Sequence, residues 1–92
     1  MTVYVDPLID YGWKLGPSCH LYADSLKELH AAAIAAGLKT SWFQVSKWGI
    51  PHYDLTESRR KRAVRQGAVE FIPTLEDLQR FKTLLNAEGA PQ

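Results

Sequence analysis

The segment DSLKELHAAAIAAGL, residues 24–38, constrains the fold more than any other part of the chain. Ser25 and Glu28 have capping-box spacing, in which each side chain satisfies a free backbone N–H of the first helical turn. Leu26, Leu29, Ala33 and Ala36 fall on one stripe with Ile34 beside it, and Gly37 stands where a left-handed residue ends a helix. A helix with one apolar stripe must bury it against a second layer. The flanking segments supply that layer. TVYVD (2–6) is rich in β-formers and ends at the turn pair Asp6-Pro7, and SCHLYA (18–23) reads as a second strand running straight into the helix.

The rest of the chain continues the alternation. PLIDYGWKLGP (7–17) reads as an irregular loop carrying Tyr11 and Trp13. SWFQV (41–45) has strand character that SKWGIP interrupts, and HYDL (52–55) is the next short strand. A basic helix over about 57–66, stopped by Gly67, leads into the strand AVEFI (68–72). Thr74 and Asp77 mark a capped start, and Leu75, Leu78, Phe81 and Leu85 trace a C-terminal amphipathic helix, with residues 87–92 as a frayed tail. Strands alternating with helices after residue 18 favour parallel crossovers. The expectation is a small single α/β domain over 1–92, core about 2–86, with a mostly parallel sheet of about four strands and about three helices.

Composition narrows the function classes. A chain of 92 residues suits one domain, and 46% hydrophobic with 23% charged residues is ordinary for a globular protein. The net charge of +1 gives no whole-molecule attraction to nucleic acid, so that partner has only weak support, and any electrostatic argument is local. One cysteine, Cys19, forbids an intramolecular disulfide and fits a reducing compartment. The opening MTVYVDPLID lacks the basic-then-apolar pattern of a secretory signal, and no apolar run approaches the ~20 residues of a membrane span. These features predict a cytoplasmic protein without a membrane partner.

In an open parallel sheet, ligands bind outside the carboxyl ends of the strands. Asp6, Asp24 and Asp54 end or follow predicted strands, and His20 and His52 lie close by. Two chemistries follow. Clustered carboxylates can hold Mg²⁺ or Mn²⁺ and activate water against a phosphodiester. Alternatively, histidines and arginines receive a phosphate through charge-assisted hydrogen bonds, with no cofactor. Both stand beside structural readings, since Asp24 and Asp54 precede helices, where aspartate is a common cap. Arg59, Arg60, Lys61, Arg62 and Arg65 crowd one helix, several of them at its positive N-terminal end, which a bound anion would relieve. A solvated basic face is the ordinary alternative. Trp13, Trp42 and Trp48 flank these residues in sequence, and exposed aromatics can stack on a base or join an oligomer contact. Walker, GxGxxG, CxxC, nucleophile-elbow and HExxH patterns are all missing from the sequence. Cys19 and His20 point to opposite faces of a strand, which argues against a Cys–His nucleophile.

The blocks TVYVD, CHLYAD with LKELHAAAIAAGL, WFQ, PHYDLT, SRR and GAVE, in that order over residues 2–72, resemble the domain of unknown function 4031 family of short bacterial and phage proteins. The resemblance implies no activity. It groups Asp6; Cys19, His20 and Asp24; Trp42, Phe43 and Gln44; His52, Tyr53 and Asp54; Ser58 and Arg60 as motif positions. Pro7 stands where another acidic residue is expected, which weakens a carboxylate-pair metal site, and VSKWGI lengthens the connection that carries Trp48.

The leading expectation is a binder of a phosphate-bearing, nucleotide-like small molecule through His20, His52, Tyr53, Asp54, Ser58, Arg60 and Trp42, of a phage type that sequesters a nucleotide without catalysis. The first alternative is a metal-dependent phosphodiester hydrolase using Asp6, Asp24 and Asp54. The second is a protein-interaction module presenting the basic helix and Trp48. Whether the chain is an enzyme, and whether it forms a homo-oligomer, stays open at this level.

Overall fold

The computed structural model describes residues 2–87. Five strands, β1 (Val3–Val5), β2 (Ser18–Ala23), β3 (Gln44–Val45), β4 (Pro51–Thr56) and β5 (Val69–Glu70), form one sheet in the order β3-β4-β2-β1-β5. Helices α1 (Leu26–Ala35), α2 (Glu57–Arg65) and α3 (Leu75–Lys82) pack with it, followed by a single turn, α4 (Leu84–Ala87). No described helix is long and apolar enough to cross a membrane.

The small α/β domain is as expected, but the sheet is mixed rather than mostly parallel and has five strands rather than four. Only β1 and β5 pair in parallel; β1–β2, β2–β4 and β3–β4 are antiparallel. The cause lies in the connections. The loop 7–17 turns β2 back beside β1, anchored by reciprocal Ile9–Ser18 backbone bonds of 2.8 and 3.0 Å. A second turn, closed by Gly49 N–H to the Ser46 carbonyl at 2.8 Å, folds β3 onto β4, and Gly49 supplies the positive φ of 84° there. The β4–α2–β5 crossover alone returns the chain in parallel, carrying β5 to the far side of β1.

The helix signals hold locally. Ser25 Oγ accepts the Glu28 N–H at 3.1 Å and donates to its carboxylate at 3.0 Å. Gly37, at φ 90°, closes α1 with Leu38 N–H reaching the Ala33 carbonyl at 2.9 Å. Thr74 and Asp77 form the reciprocal box that starts α3.

Alternation along the strands sorts the side chains onto two faces. Val5, Cys19, Leu21, Ala23, Tyr53 and Leu55 are buried with Leu26, Leu29 and Ala33 of α1 and Ala63 of α2. Tyr4, Asp6, His20, Tyr22, His52 and Asp54 occupy the opposite face, as the strand register requires. There α3 sets Phe81 against Tyr22, with ring centroids 5.1 Å apart and nearly parallel planes, and against Tyr4 at 5.6 Å. His20 and Asp54 lie further along this face and keep 31% and 33% of their side-chain surface in solvent.

Asp24 anchors this arrangement. Its carboxylate accepts hydrogen bonds from Tyr4 Oη at 2.9 Å, from the Thr2 amide at 3.0 Å and from Arg80 of α3. Burial by itself lifts this carboxyl, but those hydrogen bonds and the Arg80 charge outweigh it and hold the pKa below its ordinary value. A depressed folded-state pKa contributes stability above the unfolded value, about 3.9, that is lost as pH falls through the folded value. Asp24→Asn is therefore expected to lower Tm at neutral pH and to flatten its fall below about pH 4, read by thermal melts across pH. An unchanged acid limb would remove Asp24 from that role.

Candidate metal centre

Register brings the central residues together. His20 lies directly opposite Asp54 across the β2–β4 ladder, and the Asp6 amide bonds the His20 carbonyl at 3.3 Å from the β1 side. His52 is two residues before Asp54 on β4, so both project from one face. His20 Nε2 is 3.9 Å and His52 Nε2 3.8 Å from Asp54 Oδ1, and the three donor atoms all lie within 4.8 Å of one another.

Each donor is held from behind. Asp6, only 6% exposed, accepts the His20 backbone N–H at Oδ1 (2.6 Å) and pairs His20 Nδ1 at Oδ2 (2.8 Å). The Asp6 hydrogen bond outweighs the opposing effect of burial and raises the His20 pKa, with added charge from Asp6 and Asp54. His52 Nδ1 is 3.0 Å from the Ile50 carbonyl. A carbonyl only accepts, so Nδ1 carries a proton, and in the neutral ring this leaves the Nε2 lone pair on the side of Asp54. Gln44 Nε2 donates to Asp54 Oδ2 at 3.0 Å, leaving Oδ1 toward the histidines. Two imidazole nitrogens and one carboxylate oxygen, each with an outer partner, make a ligand set that leaves coordination positions free on a bound ion. Donors on a tetrahedral ion of this type stand about 3.3–3.6 Å apart, so loading the ion draws the three side chains closer together than the 3.8 and 3.9 Å seen here.

The other expected site residues fall elsewhere. Asp24 lies just past the end of β2 and beside Thr2, whereas His20, in mid-strand, is beside Asp6, because β2 runs antiparallel to β1. The Asp6–Asp24–Asp54 metal set is therefore not brought together. Tyr53 alternates onto the helix-covered face, is fully buried, and meets His30 Nδ1 at 2.7 Å through its hydroxyl, so it does not join His52 and Asp54. Arg60 reaches the Asp6 carbonyl with Nε and Glu70 with a terminal nitrogen, both at 2.9 Å, tying α2 to β1 and β5. Ser58 is exposed on the first turn of α2, its Oγ 3.4 Å from Thr56 Oγ1. Cys19 is free and buried. Burial and the Asp6 charge push its thiol up to about 12, in keeping with the argument against a cysteine nucleophile.

Trp42 stands on a one-turn 3-10 helix (Thr40–Trp42) and lines a depression of about 290 Å³ with Trp13, Arg59, Thr56 and Asp54. On the other side of the cluster a depression of about 170 Å³ has His20 and His52 in its wall together with Trp48, Ile50 and Leu78.

The family model described as Protein of unknown function (DUF4031) matches residues 3–83. The chain belongs to this family. Comparison with curated proteins and with solved structures returned no match. Within the DUF4031 chain, the motif positions Asp6, His20, Gln44, His52 and Asp54 meet at the cluster, whereas Tyr53 and Cys19 sit behind it in the core. The Ile50 carbonyl and the orienting part played by Gln44 and Asp6 escaped sequence reasoning. A backbone group has no sequence signal, but the two-residue spacing of His52 and Asp54 already placed Tyr53 on the other face.

Proposed function

We propose that this protein is a metal-dependent hydrolase whose ion is held by His20 Nε2, His52 Nε2 and Asp54 Oδ1. What carries the reading is that all three donors are oriented from behind, by Asp6, the Ile50 carbonyl and Gln44. A pair of histidines satisfied only for packing has no need of a shared carboxylate within 4 Å of both open nitrogens. Imidazole donors suit a zinc-type ion better than Mg²⁺, which prefers oxygen ligands. Three protein ligands leave a position for water, whose pKa the ion lowers so that hydroxide is available near neutral pH.

The test is titration of metal-free protein with Zn²⁺ by calorimetry and with Co²⁺ by visible absorption. One ion per chain is expected, with visible bands of low-symmetry cobalt coordination. No saturable binding of either ion would sink the proposal.

A further inference from the structure

The two depressions beside the cluster carry the same combination of groups. On one side, Trp42 has Arg59 at 5.6 Å and Lys39 at 5.7 Å from its ring centre, with Trp13 lining the same depression. On the other, Lys47 lies 4.6 Å from the centre of the Trp48 ring. Arg59, Lys39 and Lys47 have no carboxylate partner among the described residues, a state they share with Lys14, Lys27, Arg62, Arg65 and Lys82; what sets them apart is their place over the exposed indoles. Trp42, Trp13 and Trp48 are 43%, 50% and 65% exposed, too open to be core aromatics. The cluster joins the two depressions, since Asp54 walls one and His20 and His52 wall the other. At about 290 and 170 Å³, each is below the usual size of a pocket for a whole drug-sized ligand, and each has room for one planar ring system.

We infer that the substrate of the centre is a dinucleoside phosphodiester, its phosphate at His20, His52 and Asp54 and one base in each depression, an inference that rests on the metal-centre reading. Indoles and guanidinium planes offer sequence-tolerant stacking surfaces, and the cations that lie over the Trp42 and Trp48 rings, unpaired with carboxylates, meet the charge of an anionic ligand. A molecule with two planar ends and an anionic middle matches two depressions that each carry an indole with its cation and that meet at the metal donors. In the reaction, the oxygen of a metal-bound water forms a bond to phosphorus and one bridging P–O bond breaks. The departing ribose oxygen takes one proton of the water, leaving a phosphomonoester and a free hydroxyl.

The test uses calorimetric titration with adenylyl-3′,5′-adenosine, adenosine and inorganic phosphate, with and without Co²⁺, on the wild type and on Trp42→Ala, Trp48→Ala and Arg59→Ala. Trp42 and Trp48 are exposed and Arg59 is half-buried, and none of the three belongs to the proposed ligand set. The dinucleotide is expected to bind at least about tenfold more tightly than adenosine or phosphate, and each tryptophan substitution to weaken it about 5- to 100-fold. Co²⁺ absorption is expected to be unchanged in all three variants. The inference is overturned if the dinucleotide shows no preference over adenosine and phosphate, or if both tryptophan variants bind it as the wild type does. Intact Co²⁺ binding with no dinucleotide preference overturns the substrate class alone. Loss of Co²⁺ binding in the wild type overturns the metal centre, whatever the nucleotide result.

Discussion

Asp6→Asn is expected to lower Zn²⁺ affinity about 10- to 100-fold while leaving the fold in place, and His52→Ala to lower it further still. Asp6 touches none of the open nitrogens, so its effect is indirect. One of its oxygens is fixed by the His20 backbone N–H at 2.6 Å. In the asparagine variant the amide oxygen must keep that acceptor position, which turns the amide NH₂ toward His20 Nδ1. A donor there makes Nδ1 the acceptor and moves the imidazole proton to Nε2, the nitrogen that has to bind the ion. The loss corresponds to about 1.4–2.8 kcal/mol of binding free energy. Asp6→Glu, which keeps the charge but lengthens the side chain, separates a general charge effect from this tautomer effect. Far-ultraviolet circular dichroism and calorimetric Zn²⁺ titration check the outcome together. An Asp6→Asn protein that binds Zn²⁺ as tightly as the wild type would show that Asp6 does not orient His20 for an ion.

The largest effect on stability is expected from Phe81→Ala. Phe81 is fully buried, stacked on Tyr22, tilted against Tyr4 and edge-on to Phe71, with centroids 5.1, 5.6 and 6.2 Å away. Truncation removes the apolar transfer gain and leaves a cavity, together costing about 3–5 kcal/mol. A domain of this size has only about 5–15 kcal/mol in total. Tm should fall by roughly 12 °C or more, and chemical denaturation should show a lower midpoint. Phe81 is the one fully buried residue of α3, so its loss also loosens the helix whose Leu78 walls the smaller depression. A loss under about 1 kcal/mol would mean that α3 is not packed on this face in solution.

Much of the secondary structure was legible because its signals are local. Ser25 with Glu28, Gly37, and Thr74 with Asp77 act within a few residues of themselves, and the helices start and stop where those residues require. Strand direction was not legible in the same way. Alternating strands and helices favour parallel crossovers, but the 7–17 loop and the turn at Gly49 reverse the chain, and only the β4–α2–β5 passage behaves as expected. That reversal leaves Asp6 and Asp54 level with His20 in the middle of β2 and Asp24 beyond the end of the strand, which dissolves the three-carboxylate site. The basic helix illustrates the same limit. Arg60 looked like an anion ligand in isolation, yet its partners, the Asp6 carbonyl and Glu70, are distant in sequence and become neighbours only once β1 and β5 pair.

The sequence by itself determined the residue types of the centre, and strand alternation implied that His52 and Asp54 share a face that Tyr53 does not, although the expected binding set groups Tyr53 with them as a ligand. It also determined where the helices start and stop and that Cys19 and His20 point to opposite faces of β2, since capping and alternation are short-range. Only the tertiary structure decided which histidine stands opposite which aspartate. Register across β1, β2 and β4 depends on how three strands far apart in sequence bury their common apolar face against α1 and α2, and a shift of one residue would have turned His20 into the core. The same register turned Asp6 from a supposed metal ligand into the group that orients His20.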